Sequence, residues 1–264
     1  MKTKLGINGA CGRMGKRIVQ LAHEDKSLAV VAAVDAFQQP EHGSDVGEIA
    51  GVGKLGVNIL STLPLDVHPD VFIDFSMPEG TLHILKKCID RKIPLVVATT
   101  GFSEEQKREI EAAAHHTALL MAPNMSLVVN VLFKLVREAA LALKDKDFDV
   151  EIIERHHRFK KDSPSGTALY FAKIIQEAMG DMKIVHGREG LVGERTPHEI
   201  GMHAVRSGDN VGEHTILFST LGETMELVHK GHTRDAYVRG ALQAAKFLAT
   251  KPPGRYTMND VLGL

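Results

Sequence analysis

Cysteine is nearly absent: Cys11, in a glycine-rich turn, and Cys88, on a predicted helix, are the only two in 264 residues. That number and placement make no disulfide framework, and both are expected as free thiols. Long apolar runs are missing as well. Nothing approaches the roughly 20 residues that span a bilayer, and the chain passes from Met1-Lys2-Thr3-Lys4 straight into a strand. The expected location is therefore the cytoplasm, without a membrane partner. An excess of charge of one sign is also lacking, since the formal net charge is −1. No global field draws nucleic acid or anionic lipid, and any cationic site must be local. Histidines number 14, but neither His-Glu-x-x-His nor paired Cys-x-x-Cys spacing occurs, and no metal site is expected.

What remains is the composition of an ordinary globular protein, 44% hydrophobic and 25% charged, long enough for two domains with separate cores. The first begins with a short strand, Lys4 to Asn8, then Gly9-Ala10-Cys11-Gly12-Arg13-Met14-Gly15, then apolar residues at helical spacing. A second strand, Leu28 to Val34, ends at Asp35, twenty residues beyond Gly15. This order fits a dinucleotide-binding unit, in which glycines let the backbone approach a pyrophosphate at a helix start and an acidic residue takes the ribose hydroxyls. The spacing is G-x-x-G-x-x-G, with Cys11 where the usual motif has its second glycine. A tight strand-to-helix turn in an unrelated α/β domain is the alternative reading. Asp35 favours a free 2′-hydroxyl over a 2′-phosphate, and Ala36-Phe37-Gln38-Gln39 adds no cation. NADH is thus expected over NADPH, although Arg13 and Lys16 keep NADPH open.

Residues 37–61 are glycine-rich and read as a surface loop with a helical turn near Asp45 to Ala50. Strands at Val71 to Phe75, Leu95 to Ala98 and Ala118 to Met121 then alternate with helices at Pro78 to Arg91 and Ser103 to Ala114. The alternation continues a parallel, Rossmann-like sheet. Two strand ends, Ala98-Thr99-Thr100-Gly101 and Ala122-Pro123-Asn124-Met125, stand where such sheets bind ligands. A long helix, Ser126 to Leu143, leads into a second domain with strands at Val150 to Ile153, Gly201 to Arg206, Glu213 to Ser219 and Thr224 to His229. These predict an α+β domain on a mixed, largely antiparallel sheet of four strands, whose open edge favours oligomerisation. The division expected is 1–126 for the dinucleotide domain, with 237–264 packing back on it, and 127–236 for substrate binding and oligomerisation.

The stretch Glu154 to Ala168, Glu-Arg-His-His-Arg-Phe-Lys-Lys-Asp-Ser-Pro-Ser-Gly-Thr-Ala, places adjacent imidazoles and cations between a strand and a helix. Ser163 and Pro164 resemble an N-cap and first helical residue, with the N–H groups of Ser165, Gly166 and Thr167 free to bind an anion. Imidazole titrates near neutrality, so this loop reads as an anion site with a proton donor. A solvated basic face is the bland alternative. Nucleic-acid binding is disfavoured by the neutral net charge and the lack of aromatic residues spaced along the loop.

Taken together, the Gly9 to Gly15 turn, Thr99-Thr100-Gly101-Phe102, the pattern His-His-x-x-Lys-x-Asp-x-Pro-Ser-Gly-Thr-Ala, and Arg206-Ser207-Gly208 followed by Gly212-Glu213-His214-Thr215 resemble one family. It is 4-hydroxy-tetrahydrodipicolinate reductase, also called dihydrodipicolinate reductase, of diaminopimelate and lysine biosynthesis. The resemblance implies hydride transfer from a reduced nicotinamide to a small unsaturated dicarboxylate, giving tetrahydrodipicolinate, and a homotetramer. It makes His156 the proton donor and Lys160 the second catalytic residue, with His157, Gly166 and Thr167 holding substrate. Cofactor contacts map to Gly9, Ala10, Cys11, Gly12, Arg13, Met14, Asp35, Ala98, Thr99, Thr100, Ala122, Pro123, Asn124 and Met125. The chain departs from the family where Ala98 replaces a common glycine, Met77 a frequent cation, and Ala36 the arginine that accompanies NADPH use in some relatives. The two half-sites are expected to face each other across a cleft. Rival readings are another two-domain nicotinamide dehydrogenase of amino-acid metabolism, and a nucleotide-sensing regulator without turnover, which has no need of His156 or Lys160.

Overall fold

The structure is a computed structural model that describes residues 2–36 and 38–264. Phe37, counted above among the residues without a cation after Asp35, lies outside the described residues. The chain divides into two compact units, Met1–Leu127 with Asp235–Leu264, and Val128–Arg234.

In the first unit the order is β1 (Thr3–Asn8), α1 (Arg13–Glu24), β2 (Leu28–Val34), α2 (Val46–Ala50), β3 (Ile59–Leu60), β4 (Val71–Asp74), α3 (Pro78–Arg91), β5 (Leu95–Val97), α4 (Glu104–Ala112) and β6 (Ala118–Met121). All pairings are parallel, and the sheet runs β12-β6-β5-β4-β1-β2-β3, with β12 (Gly254–Tyr256) contributed from the C-terminal segment. Both faces are covered, so β4 and β5 are buried throughout, and all their residues but Asp74 are apolar. Ile18, Val19, Leu21 and Ala22 form the buried stripe of α1, which packs under β1 in one core, while Phe72, Ile84, Leu85 and Leu95 fill a second.

Periodicity predicts five strands here, and the structure has seven. The two missed, β3 and β12, are two and three residues long, too short for a period-two pattern to show. The loop before β3 is less irregular than expected. Asp45 accepts from the N–H groups of Gly47, Glu48, Leu55, Gly56 and Val57 at 2.6 to 3.3 Å, and these bonds, with Leu55 first, hold its carboxyl down to about 2.

The second unit holds α5 (Leu127–Leu143), whose first residue belongs to the other unit, then β7 (Asp149–His156), α6 (Gly166–Met179), β8 (Lys183–His186), β9 (Glu199–Arg206), β10 (Gly212–Thr220) and β11 (Glu223–Gly231). The sheet order is β11-β10-β7-β9-β8, five strands instead of the four expected. It is also not largely antiparallel. β10 pairs antiparallel with β7 and β11, but β9 pairs parallel with β7 and β8. The added strand is β8, none of whose residues is buried, so no alternation marks it. Val150, Ile152, Phe171 and Phe218 are fully buried in a core of this unit's own.

The C-terminal segment continues with α7 (Asp235–Leu248) and α8 (Met258–Leu262). Arg17 donates twice to Asp235, at 2.7 and 2.6 Å, and Lys246 to Asp25 at 2.5 Å. Both cysteines are free. Among the described residues no helix is long and apolar enough to cross a membrane.

Candidate active site

The buried face of β7 is made by alternate residues, Val150, Ile152, Glu154 and His156. The first two belong to the core, and at the strand's end a carboxylate and an imidazole take the same face. Glu154 is fully buried and His156 only 7% exposed. His156 Nδ1 lies 2.5 Å from Glu154 Oε2. On the neighbouring strand Arg206 sits beside His156 in register and donates to both Glu154 oxygens at 2.8 Å, a bidentate pair. Burial pushes the Glu154 carboxyl up, but the bonds from His156, Arg206 and the Ser165 N–H outweigh it and hold it at about 2. This ion pair contributes stability that is complete above pH 4.5, the ordinary value, and is lost as pH falls toward about 2.

His214, on β10 opposite Glu154 and beside His229 on β11, closes the other side. Its ring centroid is 5.4 Å from that of His156. Burial first, then the neighbouring His156, pushes its own ionisation down to about 3, so it is neutral at working pH. Its Nε2 lies 3.2 Å from Ser165 Oγ.

Ser165 corrects the expected helix start. It is Ser165, not Ser163, that caps α6, its hydroxyl accepting from the Ala168 N–H at 3.2 Å, and Pro164 precedes the helix. The Ser165 N–H is not free either, because it donates to Glu154 Oε1 at 3.0 Å. The buried carboxylate decides this, drawing the cap two residues along the chain. Gly166 is exposed and Thr167 partly so at the first turn.

The loop between β7 and α6 is tied down by Arg206, which also donates to the Asp162 carbonyl at 2.7 Å. Lys160 Nζ is 2.9 Å from the Asp162 carboxylate, a pair the exposed side of the loop keeps weak. Among the described residues nothing bonds His157 Nδ1. Loss of hydration and the cations Arg234, Lys160 and Arg206 hold it below the usual imidazole range, making it a neutral hydrogen-bonding group.

In the first unit the candidate cofactor residues lie at the carboxyl ends of parallel strands. The order β3-β2-β1-β4-β5-β6 reverses direction between β1 and β4, where such folds bind nucleotides. Gly9 has φ +78°, and a Cβ there would stand 2.5 Å from the Phe75 carbonyl oxygen. A Cβ on Gly15 would stand 2.2 Å from Gly9 O, so this glycine sets how closely α1 follows the turn. Gly12 is the exposed N-cap of α1 and has no side chain to cap it, so the helix start fits a pyrophosphate. Asp35 accepts from the Cys11 N–H at 3.2 Å, bringing the turn and the end of β2 together. Cys11 itself is no reactive thiol, since burial and then Asp35 push it up to about 12. Arg13 is exposed, and Lys16 lies 3.6 Å from Glu41.

Ala98 is half-buried and Thr100 exposed. The Thr99 hydroxyl instead donates to Asp74 at 2.8 Å and accepts from the Ser76 N–H at 2.9 Å. Asp74 also accepts from Asn8, Ser76 and Thr81 at 2.5 to 2.7 Å, a buried knot fixing the ends of β1, β4 and β5. Of the last group, Pro123 is exposed, while Ala122, Asn124 and Met125 are buried, Asn124 accepting from the Ser126 N–H at 2.9 Å.

Two family models cover the chain, "Dihydrodipicolinate reductase, N-terminus" over residues 3–125 and "Dihydrodipicolinate reductase, C-terminus" over 128–262. The chain belongs to the dihydrodipicolinate reductase family. It is 45% identical to the 4-hydroxy-tetrahydrodipicolinate reductase of Syntrophotalea carbinolica, with 99% of each chain covered. With that of Rhodopirellula baltica it shares 47%, covering 98% of this chain and 96% of the relative. Among solved structures, the dipicolinate-bound dihydrodipicolinate reductase from Paenisporosarcina sp. TG-14 has the same fold, with a TM-score of 0.77 at 24% identity over 97% of this chain and 98% of that one. GenD2 from gentamicin A biosynthesis, in complex with NAD, follows the fold at a TM-score of 0.60 and 14% identity, over 99% and 90% of the two chains.

Against this family background, Glu154, Arg206, His214 and Asp74 carry contacts to which the sequence reading gave no role. Glu154 was within reach of sequence alone, since residues two apart on a strand share a face. Arg206 was not, because only the β7–β9 register brings it to Glu154.

Proposed function

We propose that this protein is an NAD(P)H-dependent oxidoreductase that reduces 4-hydroxy-tetrahydrodipicolinate to tetrahydrodipicolinate in diaminopimelate and lysine biosynthesis. The observation that carries the reading is full-length similarity, at 43 to 47% identity, to relatives named for that reaction, with the family's His-His-x-x-Lys pattern set on a buried carboxylate. A bound nicotinamide supplies the hydride, and the Gly9 to Met14 turn, Asp35, Ala98 to Thr100 and Ala122 to Met125 are the residues that hold it. Loss of the substrate's 4-hydroxyl group as water leaves the unsaturated ring that takes the hydride, and His156 delivers the proton that must accompany hydride addition. Lys160, released from its surface pair with Asp162, and the Gly166 and Thr167 N–H groups at the positive end of α6 receive the substrate's carboxylates. His157, neutral beside these cations, hydrogen-bonds without adding charge.

A coupled assay with freshly made substrate tests the reading, and no turnover with either cofactor would end it. NADH is the preferred cofactor. Asp35 repels a 2′-phosphate, Ala36 offers no cation, and Lys16 lies near Glu41, so kcat/KM is expected to favour NADH by about tenfold or more. Equal efficiencies would overturn this preference. Gly9→Ala is expected to lower thermal stability and NADH affinity together, because the new methyl meets the Phe75 carbonyl; tryptophan-free samples can be followed by calorimetry, and an unchanged titration would contradict that role.

The working form is a homotetramer in the cytoplasm. Free cysteines suit a reducing compartment. β11 ends its sheet and leaves Met225 and Val228 exposed, at 36% and 43%, an edge that a second copy can cover. Sedimentation at micromolar concentration is expected to give the tetramer mass, and a monomer would exclude it.

A further inference from the structure

We propose that Glu154 is a positioning residue for proton transfer: it grips the His156 ring at Nδ1 and so makes Nε2 the nitrogen that hands the proton to substrate. The inference rests on the assignment of His156 as the donor.

Glu154 is fully buried, so it cannot meet the substrate itself. Its two oxygens receive four hydrogen bonds, from the Ser165 N–H and Arg206 Nη2 at Oε1 and from Arg206 Nη1 and His156 Nδ1 at Oε2. These partners come from three places, β7 itself, the neighbouring strand β9 and the cap of α6. Arg206 and Ser165 alone would satisfy a merely structural carboxylate. The imidazole is a further partner, and the nitrogen an imidazole presents is set by the bond its other nitrogen makes. A carboxylate that accepts from Nδ1–H therefore leaves Nε2 as the nitrogen available to substrate. A buried aspartate fixes the tautomer of the serine-protease histidine by the same logic.

Arg206 has a second part in this arrangement. By keeping Glu154 anionic it ensures that the carboxylate accepts a hydrogen bond without taking the proton. The other titratable and charged groups around His156 are Arg206 on β9, His214 on β10 and its neighbour His157; Lys160 and Arg234 act on His157, and Lys160 also on His214. Asp162 pairs with Lys160, and Glu154 is the carboxylate that meets the His156 ring. The same carboxylate holds the Ser165 N–H, so the proton donor and the start of the substrate-holding turn are referenced to a single group.

Two measurements test this. In protein labelled with ¹⁵N-histidine, long-range ¹H–¹⁵N spectra of native enzyme are expected to show neutral His156 as the Nδ1–H tautomer, the less favoured form of free histidine; an Nε2–H tautomer would overturn the proposal without any mutation. In Glu154→Gln, kcat is expected to fall by about 10²-fold. In the same spectra His156 of the variant is expected to move toward the Nε2–H tautomer, because an amide can turn its NH2 to Nδ1 where a carboxylate cannot. A folded Glu154→Gln enzyme whose His156 keeps the Nδ1–H form would reduce Glu154 to a structural role. Full activity of His156→Ala would instead remove the assignment of the donor, a separate failure.

Discussion

Replacing His156 by alanine is expected to lower kcat by about 10²-fold or more, the usual scale for a lost general acid, with NADH binding unchanged. The cofactor contacts proposed here belong to Met1–Leu127 and the substitution to Val128–Arg234, so affinity for NADH is a control that a misfolded variant would fail. His156 is 7% exposed at the end of a buried strand face, and removal of its ring leaves the Oε2 atom of Glu154 without that partner while Arg206 still neutralises the charge. The measurement is steady-state turnover with saturating NADH and a titration of NADH fluorescence on the same sample. A kcat within a few-fold of native would show that the proton comes from elsewhere, with Lys160 the next residue to replace.

Loss of Arg206 should act on stability more than any other single change at this site. Arg206→Met leaves the buried Glu154 carboxylate with no cation fixed to it, and breaking a buried pair on one side costs about 3 kcal/mol. Unfolding in urea would register this as a lower midpoint, by about 1 to 2 M for ordinary slopes. The sign with pH is specific. In the native protein the pair stabilises above the ordinary carboxylate value of 4.5 and fades toward about 2, so the deficit of Arg206→Met should be largest near neutrality and shrink in acid. Arg206→Lys keeps the charge but not the two-pronged geometry, and is expected between the two. A midpoint unaltered by Arg206→Met would mean that water or another cation satisfies Glu154.

Much of the first unit was legible residue by residue. Gly9, Gly12 and Gly15, the apolar stripe after them and Asp35 at the end of β2 form a local pattern, and the structure puts them at one strand end because every piece lies within about 30 residues of sequence in one βαβ unit. The loop within Glu154 to Ala168 was legible as a segment that gathers histidines and cations for a similar reason, being one continuous stretch with its flanking strand and helix. The helix start inside it was misplaced at Ser163, because what selects Ser165 is a carboxylate 11 residues earlier whose position depends on the sheet. β8 escaped notice since its residues are half-exposed or exposed on both faces, and the parallel pairing of β9 with β7 and β8 could not be inferred from strands that follow one another closely.

The order of residues by itself determined that this chain builds an α/β nucleotide fold and a second α+β unit, and that Glu154 to Ala168 brings imidazoles and cations together between a strand and a helix, because helix and strand periodicity and turn chemistry act between near neighbours. Only the tertiary structure decided which groups surround His156. Arg206 lies 52 residues from Glu154 and His214 lies 49 from Ser165, and contacts over such separations follow from strand register and burial, which make a paired carboxylate stable where a lone one would not be.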